Sequence, residues 1–284
     1  MMRHLILPVL ILIGVLVILL SLYRSQDLKR AYEKEILMAL QSISSTENIL
    51  TQDDIKHLPD AVQKYLIYTG ALGKEKVKNM RVVMEGEFKT DPKRGWSRIK
   101  TYQYNFFEQP TRIYFLKMRM FGLPVIGLHS YSNATASMLI KLGGLVTVAD
   151  GKGQEMNQGE TVTVFNDMCL LAPASLIDDR IKWEVINEHT VKAHFNNNGY
   201  VISAELYFND RGQLINFVSE DRFYSPTGKT YQKARWSTPV TEYKEIKGMK
   251  LPAYGEAIWH FPEGDYRYAK LNIEEIEYNV PELR

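Results

Sequence analysis

The sequence predicts an α+β protein: a long curved antiparallel β-sheet of about 10–12 strands wrapped around an inserted helix, preceded by an N-terminal transmembrane helix. Three observations carry that expectation. An apolar run, Leu5 to Leu22, opens the chain, with only Pro8, Gly14 and Ser21 as mild exceptions. From Val77 onward, apolar residues recur at every second position, the period of strands with one buried face. The segments so marked are joined by turns too short for a parallel crossover, which needs a dozen or more residues.

The 18 positions of the apolar run would cover roughly 27 Å as a helix, close to the hydrocarbon thickness of a bilayer. A cleaved signal peptide is the competing reading, since Arg3 and His4 precede the run, but signal cores are shorter and end at small residues rather than at Ser21-Leu22-Tyr23-Arg24. The sequence therefore divides into an anchor at 1–24, a helical stalk and polar linker at 25–52, and a single sheet-plus-helix domain at 53–284. Arg24, Lys29 and Arg30 oppose Arg3 across the run, so flanking charge does not orient it. The expectation is a single-pass membrane protein whose folded domain faces outside the cytoplasm.

Leu28, Tyr32, Ile36, Ala39, Leu40 and Ile43 recur at three- and four-residue steps and predict an amphipathic helix for the stalk, fraying into the polar segment Gln41 to Gln52. Pro59 suits a first helical turn and Gly70 a C-terminal cap, which predicts a short helix at about 59–69. In the strand region, Met80, Val82, Met84, Gly86 and Phe88 point one way and Arg81, Glu85 and Glu87 the other. Tyr114, Leu116, Met118 and Met120 form a second row; Ile202, Ala204, Leu206 and Phe208 a third; Leu251, Ala253, Ala257, Trp259 and Phe261 a fourth. Turn sequences fall at Asn197-Asn198-Gly199, Asp210-Arg211-Gly212, Pro226-Thr227-Gly228, Lys247-Gly248 and Pro262-Glu263-Gly264. One segment interrupts this pattern: Val162, Phe165, Cys169 and Leu170 lie on a helical stripe ending near Pro173, predicting a helix at about 158–171 laid across the concave face of a twisted sheet.

The balance of 35 basic and 33 acidic residues leaves a net charge of +2, which disfavours nucleic acid as a partner. The basic cluster Lys89, Lys93, Arg94, Arg98 and Lys100 reads as an exposed hairpin before it reads as a phosphate site. Cys169 alone cannot form an internal disulfide. No two of the six histidines stand at a ligand spacing on one helix, and no HExxH, CxxC or EF-hand pattern occurs, so neither a metal nor a cofactor is expected. His129 and Ser130 are adjacent, but neighbouring strand residues face opposite sides, which argues against a catalytic dyad.

Two chemical readings remain. Met118, Met120, Met138, Phe165, Met168 and Trp259 fall on or near the middle strands and the inserted helix, and adaptable thioether and aromatic side chains suit an apolar ligand, although such residues also simply fill cores. Glu160, Asp167 and Glu256 are candidates for acid and base chemistry, with salt bridges to Arg222, Arg235 or Arg267 as the alternative.

The set Leu58-Pro59-x-x-Val62-Gln63-Lys64-Tyr65-Leu66, Gly86-Glu87-Phe88, Gly122-Leu123-Pro124-Val125, Val148-Ala149-Asp150, Asn157-Gln158-Gly159-Glu160-Thr161 and Leu251-Pro252-Ala253-Tyr254-Gly255-Glu256 resembles a family of mostly bacterial proteins of unknown function, over about residues 55–278. That resemblance implies a widespread bacterial protein, commonly with an N-terminal membrane helix, and supplies no catalytic residues. In architecture the expected sheet is similar to the bacterial lipoprotein-carrier fold, whose members hold acyl chains in the concavity; this is analogy. The function expected is non-catalytic binding of a lipid or other hydrophobic ligand in the concave face by a membrane-anchored envelope protein. An enzyme using Glu160, Asp167 or Glu256, and a scaffold pairing through an exposed strand edge, are the alternatives.

Overall fold

Strand alternation and tight turns do most of the building. A computed structural model describes the backbone of residues 3–44 and 48–284; the side chains of residues 3–11, 13, 17, 18 and 22 lie outside the described residues. Among the described residues, fourteen strands form one antiparallel sheet. They are β1 (Asn79–Phe88), β2 (Ser97–Phe106), β3 (Thr111–Met120), β4 (Leu123–Ser132), β5 (Thr135–Leu142), β6 (Val146–Lys152), β7 (Ile181–Asn187), β8 (Thr190–Asn197), β9 (Tyr200–Phe208), β10 (Leu214–Tyr224), β11 (Gln232–Ser237), β12 (Val240–Ile246), β13 (Met249–Phe261) and β14 (Gly264–Tyr278). The order is β6-β5-β4-β3-β2-β1-β14-β13-β11-β10-β9-β8-β7, with β12 pairing along the first part of β13.

This is a mostly β half-barrel with few helices, which corrects the expected α+β class and the expected 10–12 strands. The undercount has a local cause. Phe121-Gly122 and Asn133-Ala134 make two-residue turns with positive φ at both positions, 54° and 77°, then 49° and 57°. Such turns follow the twist of a hairpin, yet Ala134 and Phe121 are not the residues that usually announce them.

Two meanders, β1–β6 and β7–β14, meet where β1 pairs with β14. Gly86 marks that seam: a Cβ there would lie 1.9 Å from the Lys270 carbonyl oxygen, so only glycine lets the two backbones approach so closely.

The helices are α1 (Arg3–Leu40), α2 (Gln52–Ile55), α3 (Asp60–Thr69) and α4 (Gln154–Leu171). α3 follows Pro59 and ends at Gly70, which adopts a left-handed φ of 71° while its N–H returns to Ile67 and Leu66 carbonyls. Its Tyr65 is fully buried and donates to the Cys169 carbonyl at 2.8 Å, pinning α3 to the end of α4.

The N-terminal expectation requires correction. Residues 3–40 form one helix of 38 residues, and among the described residues no helix is long and apolar enough to cross a membrane. The expected transmembrane helix and single-pass localisation are therefore not supported. Most side chains of the Leu5–Leu22 run lie outside the described residues. The apolar run is not a separate element: it continues without a break into a charged segment whose apolar stripe is spent on the protein itself. Leu28, Tyr32 and Ile36 bury against Tyr104, Ile113, Phe115 and Leu128 on the convex face of the sheet, with the Tyr32 ring 5.4 Å from that of Phe115. The predicted stalk is thus docked. Part of the linker read at Gln41 to Gln52, residues 45–47, lies outside the described residues.

β6 and β7 occupy opposite edges of the sheet, so the chain between them must cross the whole width of the half-barrel. α4 makes that crossing through the concave face, starting four residues earlier than the sequence suggests. At 18 residues it spans roughly 27 Å. Residues 159–171 are all buried, as expected for a helix with sheet on several sides.

Candidate functional site

Positions Met156, Glu160, Thr163, Asp167 and Leu170 recur at steps of four and three, which puts them on one stripe of α4. All five line a cavity of about 540 Å³ between the helix and the concave sheet. Its walls are largely apolar and include Met84, Ile99, Leu116, Val125 and Ile140. The other side of α4 is solid core, where Phe165 stacks on Phe195 at 5.3 Å and meets Phe217 edge-on at 5.8 Å.

This division sorts the residues singled out in the sequence. Met118, Met120, Met138 and Trp259 line the cavity. Phe165 and Met168 do not; both are fully buried in the core. Glu160, Asp167 and Glu256 all reach the cavity wall, but each is paired. Glu256 accepts from the Tyr254 hydroxyl at 2.7 Å and pairs with Arg267, away from the other two acids. Glu160 and Asp167 share Arg112.

Arg112 comes from β3, with Tyr114, Leu116 and Met118 on the same inward row. Its guanidinium is spent on three sides. Nε donates to Asp167 Oδ2 at 2.8 Å, Nη1 to Glu160 Oε2 at 3.2 Å and Nη2 to Gln103 Oε1 at 3.1 Å. Asp167 Oδ2 also accepts from Gln103 Nε2 at 2.8 Å and Asn105 Nδ2 at 3.0 Å, so one carboxylate oxygen takes three donors. Burial pushes the Asp167 carboxyl above its ordinary range despite Arg112 and Asn105. Burial acts in the same sense on Glu160, but Arg112, with His129 and Arg222, outweighs it and holds Glu160 below the usual carboxylate range.

Arg222 completes the charged floor through a strand irregularity. Ser219 pairs with Trp236 while Arg222 pairs with Ala234, so β10 holds one residue more than β11 across that interval. The bulge reverses the alternation, which is why Phe217 and Arg222, of opposite parity, both face inward. Arg222 lies over the rings of Trp236 and Trp259, at 4.2 and 5.3 Å, and its Nη2 stands 3.7 Å from Glu160 Oε1. Among the described residues, its Nε has no hydrogen-bond partner, and neither has His129 Nε2 on the neighbouring wall.

Burial lowers the His129 pKa to about 4, with Glu160 opposing and Arg112 and Arg222 reinforcing. Because the folded value lies below the unfolded one, the unfolded chain binds a proton that the folded chain refuses, and stability falls as pH drops below about 6.5. From pH 6.5 to 5 this histidine is expected to remove about 1.5 kcal/mol of stability, as its folded pKa of about 4 implies. Urea denaturation of the parent and His129→Phe across that window should differ by this slope; parallel curves would remove His129 as the cause.

The sequence reading missed Arg112, Gln103, Asn105 and Arg222's inward position. A signal existed in β2, where Thr101, Gln103 and Asn105 alternate with Tyr102, Tyr104 and Phe106. The polar row faces inward, and the aromatic row lies outside under α1. Among the described residues, no group of His, Cys, Asp and Glu is arranged to hold a metal ion.

No curated protein matches the chain. Among solved structures, it is similar to an outer membrane lipoprotein-sorting protein domain from Vibrio parahaemolyticus, with 11% identity and a TM-score of 0.37 over 71% of this chain and 86% of that one. It is also similar to a LolA superfamily protein from Nitrosomonas europaea, with 6% identity and a TM-score of 0.40 over 77% of this chain and 94% of that one. Residues 48–271 match DUF6544, a family of unknown function, and the chain belongs to that family, as its motifs suggested.

Proposed function

We propose that this protein binds a lipid or other hydrophobic small molecule in the concavity of its half-barrel, without catalysing a reaction. The observation that carries this reading is the void of about 540 Å³ that the protein's own side chains leave beside α4. That volume lies within the range of small-molecule sites, which are typically apolar with a few placed polar groups. Met118, Met120 and Met138 give the wall a surface that adapts to irregular chains, and Trp259 adds a flat aromatic face.

Titration of decanol into the full chain, followed by calorimetry, is expected to show saturable binding with a negative heat-capacity change. Met138→Trp, which places a larger side chain in the void, should weaken it at least tenfold. Linear, unsaturable uptake that ignores Met138→Trp would refute the proposal.

Acid and base catalysis by Glu160, Asp167 and Glu256 finds less support, because each carboxylate is engaged by an arginine and Asp167 Oδ2 already accepts three donors. A scaffold role draws on one feature. The edge strand β7 exposes Val185 and Ile186 at 64% and 49%.

A further inference from the structure

We propose that Arg222, together with His129, reads the polar head of the bound molecule and selects a lipid with an uncharged acceptor head, an ester or amide carbonyl, over a free fatty acid. This rests on the binding role proposed above and assigns the chemistry of the polar end of that cavity.

The two arginines of the floor are used differently. Each nitrogen of Arg112 already donates one hydrogen bond, to Asp167, Glu160 or Gln103, so three of its five N–H donors are committed within the protein. Among the described residues, the one carboxylate near Arg222 is Glu160, at 3.7 Å, and the Arg222 Nε is without a hydrogen-bond partner. Its plane is set by Trp236 and Trp259, and 13% of its side chain remains accessible in a residue that lines the cavity. His129 stands on the same wall with Nε2 equally unpartnered, its ring 5.6 Å from that of Tyr114. Unpaired polar atoms in so buried a place are costly, and both are almost sealed from the cavity, so an acceptor brought by the ligand would relieve that cost once a small side-chain shift lets it in.

Charge then decides which acceptor. Arg112 and Arg222 are matched by Glu160 and Asp167, so the floor carries no net charge. His129 stays neutral near pH 7 and does not alter that balance. A carboxylate placed here would add an uncompensated negative charge beside Glu160 in a poorly hydrated wall. A carbonyl oxygen accepts from Arg222 and adds no charge. At the rim, Lys89 and Arg94 also line the cavity, accompanied by Asp91, and they offer a free acid its best competing site.

The test uses the full chain at pH 7.5 with three ligands of similar length: methyl decanoate, decanoate and undecane. Methyl decanoate is expected to bind at least tenfold more tightly than either of the others. Arg222→Met should abolish its advantage over undecane while undecane affinity stays within about threefold, as expected if the void is intact and only the donor is lost. Infrared spectroscopy of carbonyl-labelled methyl decanoate on the unmodified protein should show the stretch moving to lower wavenumber on binding, a readout that does not depend on how the variant folds. Equal affinities, tighter binding of decanoate, an ester advantage that survives Arg222→Met, or an unshifted carbonyl would each overturn the assignment while leaving the binding role standing. Failure of all three ligands to bind would overturn both.

Discussion

Replacing Arg112 by methionine is expected to lower the stability of the folded chain by about 3–5 kcal/mol, the usual cost of removing one partner from a buried charge network. Among the described residues, Arg112 is the only group that touches both Glu160 and Asp167, at 3.2 and 2.8 Å, and all three side chains are at most 10% accessible. Methionine keeps much of the apolar volume but leaves two carboxylates facing each other in the wall of an apolar cavity. Urea denaturation at neutral pH measures the loss. Two further results separate a charge effect from a packing effect. The deficit should shrink as pH falls and the orphaned carboxyls take up protons, and the triple variant Arg112→Met, Glu160→Gln, Asp167→Asn should recover most of the stability. A deficit that is constant with pH and unrelieved in the triple variant would mean that Arg112 matters for its shape alone.

The second large effect lies on the opposite face of the same helix. Phe165→Ala should cost about 3–5 kcal/mol, as expected for truncating a fully buried aromatic ring. Its ring is enclosed between Phe195 and Phe217, at 5.3 and 5.8 Å, in a part of the core where nothing can collapse into the space without moving sheet strands. Met120→Ala, on the partly open cavity wall, should cost less than about 1 kcal/mol because that side chain already borders empty volume. Ligand binding should respond in the reverse order: Met120→Ala changes affinity, and Phe165→Ala acts only through stability. Equal stability losses at the two positions would contradict the distinction between the filled core around Phe165 and the partly open cavity wall that Met120 borders.

That division shows where sequence reading reaches its limit. The segment from Gly159 to Leu171 reads as a helix because its apolar residues return every three to four positions. Phe165 and Met168 stand as ligand candidates beside Met118 and Met138 because thioether and aromatic side chains suit an apolar ligand, and residue type cannot distinguish a side chain packed on protein from one facing a void. The candidate acids were visible because Glu160 and Asp167 are carboxylates on the inserted helix. Their partner was not. Arg112 lies 48 residues from Glu160 and 55 from Asp167 along the chain, and nothing local to β3 announces that its inward row begins with a cation.

Local physics, legible in the sequence alone, determined the antiparallel connectivity, the limits of α3 between Pro59 and Gly70, and the presence of one helix inserted among hairpins. Tertiary structure decided which side of each strand is inside. Period-two alternation states that Gln103 and Tyr104 face opposite ways, but only the arrival of α1 on the convex face and α4 in the concavity assigns Tyr104 to the first and Gln103 to the second. The bulge after Ser219 shifts parity by one residue and turns Arg222 inward, a reversal that depends on pairing with β11 rather than on any residue of β10. The fate of the N-terminal helix was decided in the same way. An apolar stripe specifies that Leu28, Tyr32 and Ile36 must be covered, and the exposed aromatic face of β2 and β3 supplies the cover.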